Sequence, residues 1–190
     1  MNLDITNKST RLDIARITSQ HDAPSGEIAF ATGTSILGTV LVARSARGVC
    51  AVLIGSEAGE LTADLAARFP QNRLVRNDPR LDSDLERVRR FIETPARGLD
   101  LELDVHGTPF QRRVWDALCA IPVGRTVTYA ALARRIGEPE SVRAVANACA
   151  ANAIALAIPC HRVIRSNGTL SGYRWGVERK RALLAREAQG

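Results

Sequence analysis

Residues 154 to 161 read Ile-Ala-Leu-Ala-Ile-Pro-Cys-His, an uninterrupted apolar run that stops at a proline and presents Cys160 beside His161. The run predicts a buried strand. Pro159 cannot donate a ladder hydrogen bond and confines the residue before it to extended geometry, so it ends the strand and sets how Cys160 leaves it. A thiol held beside an imidazole is a candidate nucleophile, and a free cysteine is equally a small buried hydrophobe. The dipeptide alone does not choose between them.

Upstream of this run, Thr128 is placed to cap a short helix whose Leu132 and Ile136 face inward, and Gly137 ends it where a left-handed residue is wanted. After a turn through Glu138-Pro139, a second helix is expected from about Ser141 to Ala151, with Val142, Val145 and Cys149 on one face. Its other face offers Arg143, alanines and Asn147. Helix, turn, helix is a DNA-reading geometry. A major-groove reader, however, needs several long polar side chains for base edges, and this helix has one arginine among small residues. Close backbone approach to a groove explains that face better. Further upstream, Thr108-Pro109 supplies an N-cap and first-turn proline for a helix carrying Phe110, Val114 and Leu118, just past a boundary near His106-Gly107.

The N-terminal half follows other periods. Glu27 to Thr34, Leu37 to Ala43 and Gly48 to Ile54 are short strand-like runs between turn signals, an antiparallel meander. Leu61, Leu65 and Phe69, and then Leu81, Leu85, Val88 and Ile92, recur at helical spacing, and Leu99, Leu101, Leu103 and Val105 alternate like a half-buried strand. Nothing in this half reads as catalytic.

At 190 residues and 45% hydrophobic content the chain is long enough for one large or two small domains with real cores. It contains no run of eighteen or more apolar residues and no signal-peptide pattern at its start, so a cytoplasmic protein with no membrane partner is expected. Four scattered cysteines and three histidines give no metal-ligand spacing, so reduced thiols and no structural metal are expected. The net charge of +6 is uneven: residues 106 to 190 carry 13 basic and 5 acidic groups, whereas residues 1 to 105 carry 13 and 15. Of the 26 basic residues only Lys8 and Lys180 are lysines, and arginine's planar fork suits phosphate. A polyanion such as nucleic acid is the expected partner.

Taken together, Thr126-Val-Thr-Tyr-Ala-Ala-Leu-Ala133, Val142-Arg-Ala-Val145, Asn152, Ile158-Pro-Cys-His-Arg-Val163 and Ser166-Asn-Gly-Thr-Leu-Ser-Gly-Tyr-Arg-Trp-Gly-Val177 resemble the O6-alkylguanine-DNA alkyltransferases, also called methylated-DNA–protein-cysteine methyltransferases. The resemblance is dense over residues 106 to 188 and looser over about 27 to 105, and is nearest to the bacterial Ada branch. It implies a flexible segment 1–26, an α/β ribonuclease-H-like scaffold over 27–105 and a mostly helical, winged-helix-like catalytic DNA-binding domain over 106–190.

The resemblance further implies a direct-reversal repair reaction without cofactor or metal, in which a monomer binds double-stranded DNA in the minor groove, flips out an O6-alkylguanine and takes the alkyl group onto Cys160 irreversibly. O4-methylthymine is a candidate second substrate. His161 would remove the thiol proton through a water, and Glu187 would orient His161. Asn152 would be the hinge tying the second helix to the active-site strand. Arg143 would fill the vacated stack, and Tyr129 would rotate the phosphate and donate to the leaving guanine. Ser166 and the backbone at Ala130 would contact the DNA, and the Val163 carbonyl would accept from the guanine amine. Tyr173, Arg174 and Trp175 would line the pocket, with Trp175 restricting it to small alkyl groups. Residues 1 to 26 contain no cysteine, so the separate metal-dependent activities of the Ada branch are not expected. A Cys-His hydrolase would use the same dyad but leaves Arg143 unexplained, and a non-catalytic lesion sensor leaves Cys160 unexplained.

Overall fold

Residues 49–54 read Val-Cys-Ala-Val-Leu-Ile, and in the computed structural model, which describes residues 17–19, 26–76, 78–170 and 172–189, all six are buried. A strand without a polar face has to be covered on both sides, and that requirement organises the N-terminal half. The strand is β4 (Val49–Gly55); the others are β1 (Ile17–Ser19), β2 (Glu27–Ser35), β3 (Gly38–Arg44), β5 (Arg73–Arg76) and β6 (Leu103–Val105). They form one mixed sheet in the order β1-β6-β4-β3-β2-β5. The expected meander is present as antiparallel β2, β3 and β4, while β5 joins β2, β6 joins β4 and β1 joins β6 in parallel. Helix α1 (Ala58–Arg68) buries Leu61 and Leu65 against β3 and β4. Helix α2 (Arg80–Glu93) buries Leu81, Val88, Phe91 and Ile92 against β2 and β3. Leu99, Leu101, Leu103 and Val105 are all buried as their alternation predicts, although only 103–105 is strand. Of the segment 1–26 expected to be flexible, Ile17–Ser19 form a strand on β6, and residues 1–16 and 20–25 lie outside the described ones.

The C-terminal half is mostly helical: α3 (Pro109–Cys119), α4 (Tyr129–Arg135), α5 (Val142–Ala151) and α6 (Val177–Glu187), with a two-residue pair of parallel strands, β7 (Val127–Thr128) and β8 (Val163–Ile164). Local sequence explains the starts of α3 and α4. The Thr108 hydroxyl accepts from the Gln111 amide at 3.2 Å while the Gln111 side chain accepts from the Thr108 amide at 2.9 Å, a reciprocal capping box followed by Pro109. Thr128 caps α4 through the Ala131 amide at 3.1 Å, and Gly137 supplies the left-handed residue after it at φ +77°. Val145, Ala148 and Cys149 of α5 are buried, and the Trp115 indole of α3 donates to the Ala148 carbonyl at 2.9 Å, locking the two helices together.

The run 154–158 departs from the strand that its composition predicts. It is a buried turn that touches strand geometry only at Ile154, bridged to Val52 of β4, and Leu156 adopts φ +71°. The cause is Asn152. Its side-chain oxygen accepts from the Ile154 amide at 2.8 Å and its side-chain amide donates to the Ile158 carbonyl at 2.8 Å, which curls the intervening backbone. Pro159 therefore ends a turn, and Cys160–Arg162 form a single 3-10 turn.

Among the described residues no helix is long and apolar enough to cross a membrane, and no group of three or more His, Cys, Asp or Glu side chains is placed to hold a metal.

Thr108→Ala removes one half of the capping box while touching no core side chain. We expect a loss of about 1 kcal/mol in urea unfolding; an unchanged midpoint would show that the cap does not hold α3.

Candidate active site

Three elements converge behind the 3-10 turn Cys160–Arg162. The chain before it is tied to the N-terminal sheet, because the Val52 amide donates to the Ala153 carbonyl and the Ala155 amide donates to the Val52 carbonyl, both at 2.9 Å. The chain after it enters β8, whose partner β7 leads directly into Tyr129, the first residue of α4. The last turn of α6 supplies Glu187 from beneath. These pairings bring together residues far apart in sequence.

Cys160 is buried, and its Sγ accepts a hydrogen bond from the Asn152 amide at 3.3 Å. Burial pushes the thiol up to about 11, against the pull of the Asn152 hydrogen bond and the Lys180 charge, so the resting group is a protonated thiol. His161 is fully buried, and its Nε2 lies 2.8 Å from Glu187 Oε1. A carboxylate only accepts, so Nε2 carries the proton and Nδ1 presents a bare lone pair. Nδ1 is buried and has no hydrogen-bond partner among the described residues. Burial lowers the imidazole below its ordinary value, with Glu187 pulling it back up and Arg162 and Lys180 adding to the downward push. The arrangement is a neutral base whose free nitrogen is not committed to the protein.

Glu187 is the hub. Besides His161, it accepts from Arg162 through Nε at 3.0 and 3.1 Å and through Nη2 at 2.8 Å, and from the Gly124 amide at 3.2 Å. Burial alone would raise the carboxyl, but the hydrogen bonds from His161 and Arg162, with their charges, overcome it and hold the group at about 2. The remaining Arg162 nitrogen, Nη1, donates to the Ile121 carbonyl at 2.6 Å. Gly124 sits at φ +73°, and a Cβ there would lie 2.9 Å from the Glu187 carbonyl oxygen, so this backbone donor has to be glycine.

Tyr173 and Trp175 form the opposite wall. Their rings meet edge to face with centroids 5.1 Å apart, and Tyr173 stands edge-on to His161 at 6.5 Å. Both are buried, yet the Tyr173 hydroxyl and the Trp175 indole N–H have no partner among the described residues. With His161 Nδ1, three buried polar atoms on adjoining rings lack a partner among the described residues, the pattern expected where something polar binds. The Val163 carbonyl accepts from the fully buried Lys180 ammonium at 2.5 Å.

The structure thus brings together Cys160, His161, Glu187, Asn152, Val163, Tyr173 and Trp175. Tyr129 and Ala130 are half-buried at the start of α4, and Arg143 and Ser166 are exposed on the same half of the molecule. Arg174 is directed elsewhere: its guanidinium donates to Asp64 of α1 at 2.5 Å. The sequence reading missed Arg162, Lys180 and Gly124 as members of the site. A signal existed for two of them, since Lys180 is one of two lysines in an arginine-rich chain and Arg162 adjoins the Cys-His pair.

Comparison with known proteins identifies the family. Residues 109–189 fit the model for the 6-O-methylguanine DNA methyltransferase, DNA binding domain. The methylated-DNA–protein-cysteine methyltransferase of Candida albicans is 38% identical over 162 residues, covering 80% of this chain and 91% of the relative. The chain belongs to this family. It is 50% identical to the regulatory protein Ada of Salmonella typhimurium over 162 residues, 85% of this chain and 46% of that protein, so the chain spans about half the length of the Ada relative. Among solved structures, Mycobacterium tuberculosis OGT in complex with DNA superposes with a TM-score of 0.69 at 32% identity, covering 85% of this chain and 93% of that one.

Removing Glu187 leaves the Arg162 charge buried without its partner, so Glu187→Ala is expected to cost about 3 to 5 kcal/mol in chemical denaturation. The acid response follows in sign. His161 and Glu187 both hold their protons less tightly folded than their ordinary values of 6.5 and 4.5, so the unfolded chain protonates first. The stability contributed by these two groups is therefore full above pH 6.5, declines as pH falls below it, and declines again as pH falls from 4.5 toward 2. Asp64, Asp78 and Asp104 are held low as well, so Glu187→Gln should shrink the second decline without abolishing it, and an unchanged decline would show that Glu187 does not contribute to it.

Proposed function

We propose that this chain is a direct-reversal DNA repair protein that transfers the alkyl group of O6-methylguanine in double-stranded DNA to the sulfur of its own Cys160, with O4-methylthymine as a candidate second substrate. The observation that carries this reading is the buried Asn152–Cys160 and His161–Glu187 arrangement, with His161 Nδ1 uncommitted. It occurs in a chain whose relatives bear the name methylated-DNA–protein-cysteine methyltransferase.

The chemistry follows from the groups present. Attack on a saturated carbon needs a thiolate, and burial outweighs the pull of the Asn152 hydrogen bond and the Lys180 charge, so Cys160 at about 11 has to lose its proton for the reaction. Neutral His161 takes the thiol proton at Nδ1 through a water, and Glu187 stabilises the imidazolium through Nε2. The S–C bond forms as the C–O6 bond breaks, and the electron pair leaves with the guanine ring. That ring recovers a proton through Tyr129, and the thioether on Cys160 is final. The protein is consumed in one turnover.

A stacked base cannot reach a thiol this deeply buried, so the nucleotide has to be flipped out at a few kcal/mol. Arg143 on α5 is the proposed intercalating side chain, supported by its exposure beside small residues that permit close approach in the minor groove. Tyr129, Ala130 and Ser166 are the proposed backbone contacts. The positive charge of residues 106–190 supports nucleic acid as partner and predicts little sequence preference. Residues 27–105 are read as a ribonuclease-H-like scaffold and residues 106–190 as a winged-helix-like domain. The helix pair α4 and α5 beside the β7–β8 strands supports the second assignment, and the passage from β6 to α3 supports the boundary. A cytoplasmic monomer is proposed, and the free state of all four cysteines supports a reducing compartment.

Incubation with a duplex carrying one O6-methylguanine should add one methyl mass per protein, on the peptide holding Cys160, and Cys160→Ser should take up none. A methyl mass on any other peptide, or lesion binding with no transfer, would overturn the reading. The pH dependence is a separate test. Proton transfer from Cys160 to His161 leaves the total charge unchanged, so the single-turnover rate should be flat from the imidazole value, which lies below 6.5, up to the thiol value of about 11, and should fall on the acid side. A tenfold rise per pH unit between 7 and 9 would instead mean bulk deprotonation of the thiol, with no part for His161.

A further inference from the structure

Trp175 is anchored on both sides by arginines that reach into the N-terminal half. Arg179 of α6 donates through Nη1 to the Trp175 carbonyl at 2.9 Å, through Nε to the Leu37 carbonyl at 2.7 Å and through Nη2 to the Ser56 hydroxyl at 3.1 Å. Its guanidinium runs through a slot made by two glycines in left-handed conformation: a Cβ on Gly38 would lie 3.2 Å from Nη2, and one on Gly176 would lie 3.5 Å from Nη1. Arg174 crosses to Asp64 of α1, which also holds Arg68 at 3.2 Å. The β2–β3 turn, the residue after β4 and the middle of α1 therefore all grip the segment around Tyr173 and Trp175 through Arg174 and Arg179. An arginine that spans two backbone carbonyls and a hydroxyl contributes geometry as well as energy, because its planar fork fixes direction. The N-terminal half contributes none of the reacting groups, yet three hydrogen bonds tie it to this one wall.

We propose that the N-terminal half sets the size limit of the alkyl pocket, with Arg179 and the Arg174–Asp64 pair acting as positioning residues that hold the Tyr173–Trp175 wall in place. This rests on the alkyl-transfer reading of Cys160. A wall held only by its own loop would swing away from a bulky group, whereas one pinned to a buried sheet cannot. Discrimination against large alkyl groups is then a property of contacts remote from Cys160, and it weakens when those contacts are cut.

The test uses the full chain and duplexes carrying O6-methylguanine or O6-benzylguanine, with single-turnover rates for the wild type, Arg179→Met, Asp64→Asn, Trp175→Gly and the Arg179→Met/Trp175→Gly double variant. Arg179→Met should raise the benzyl-to-methyl rate ratio at least about threefold. Asp64→Asn should raise it by a smaller factor, because that pair is partly screened by solvent. In the Trp175→Gly background Arg179→Met should add nothing, since the wall it positions is already gone. A ratio unmoved by both single variants, or raised equally with and without Trp175, overturns the proposal. Should Arg179→Met fail to fold, the surface variant Asp64→Asn decides alone. A wild-type protein that moves no methyl to Cys160 sinks the alkyl-transfer reading itself, and the wall proposal with it. Transfer with an unmoved ratio sinks only the latter.

Discussion

The carboxylate of Glu187 is the interaction on which the site depends. It is buried, it accepts from His161, from the Arg162 guanidinium and from the Gly124 amide, and those bonds draw together α6, the 3-10 turn after Pro159 and the loop before β7. A buried charge of this kind is tolerated only when it is matched and hydrogen-bonded, so none of the three elements can shift without exposing an unpaired group. The same carboxylate selects the imidazole tautomer. One interaction therefore holds the backbone together and leaves the base in the protonation state that the proposed chemistry requires.

Asn152 does the corresponding work on the other side. Its amide bridges Ile154, Ile158 and the sulfur of Cys160, so the conformation of the turn and the orientation of the nucleophile are set by one side chain. The turn gains a second anchor from Val52 at the heart of the sheet. Val52 satisfies the Ala153 carbonyl and the Ala155 amide, two polar groups that would be costly to leave unpaired in the interior. The sheet is in this sense part of the site although it contributes no reacting group, and the arginines that pin the Tyr173–Trp175 wall repeat the theme.

Much of this was legible in the chain. The meander, helices α1 to α5, the capping role of Thr108 and Thr128 and the left-handed Gly137 all follow from local rules of period, cap and turn, because those rules act within a few residues. The strand expected at 154–158 shows where they stop. Its composition is that of a buried strand, and burial was read correctly, but its conformation is dictated by a polar side chain at Asn152 that competes with the backbone ladder. Arg174 is a second instance: its place in the motif suggested the pocket, and a carboxylate 110 residues away took it to the surface of α1.

Cysteine beside histidine after an apolar run, an arginine on an alanine-faced helix and the concentration of positive charge in residues 106–190 were determined by the sequence alone, since each is a property of neighbours in the chain. The resemblance already names Glu187 as the partner of His161; only the tertiary structure decided that Arg162 and Lys180 are buried members of the site, and that burial takes the Cys160 thiol up to about 11. The reason is physical: burial and the distance between charges determine the energy of an ionisable group, and neither exists until elements far apart in sequence pack against one another.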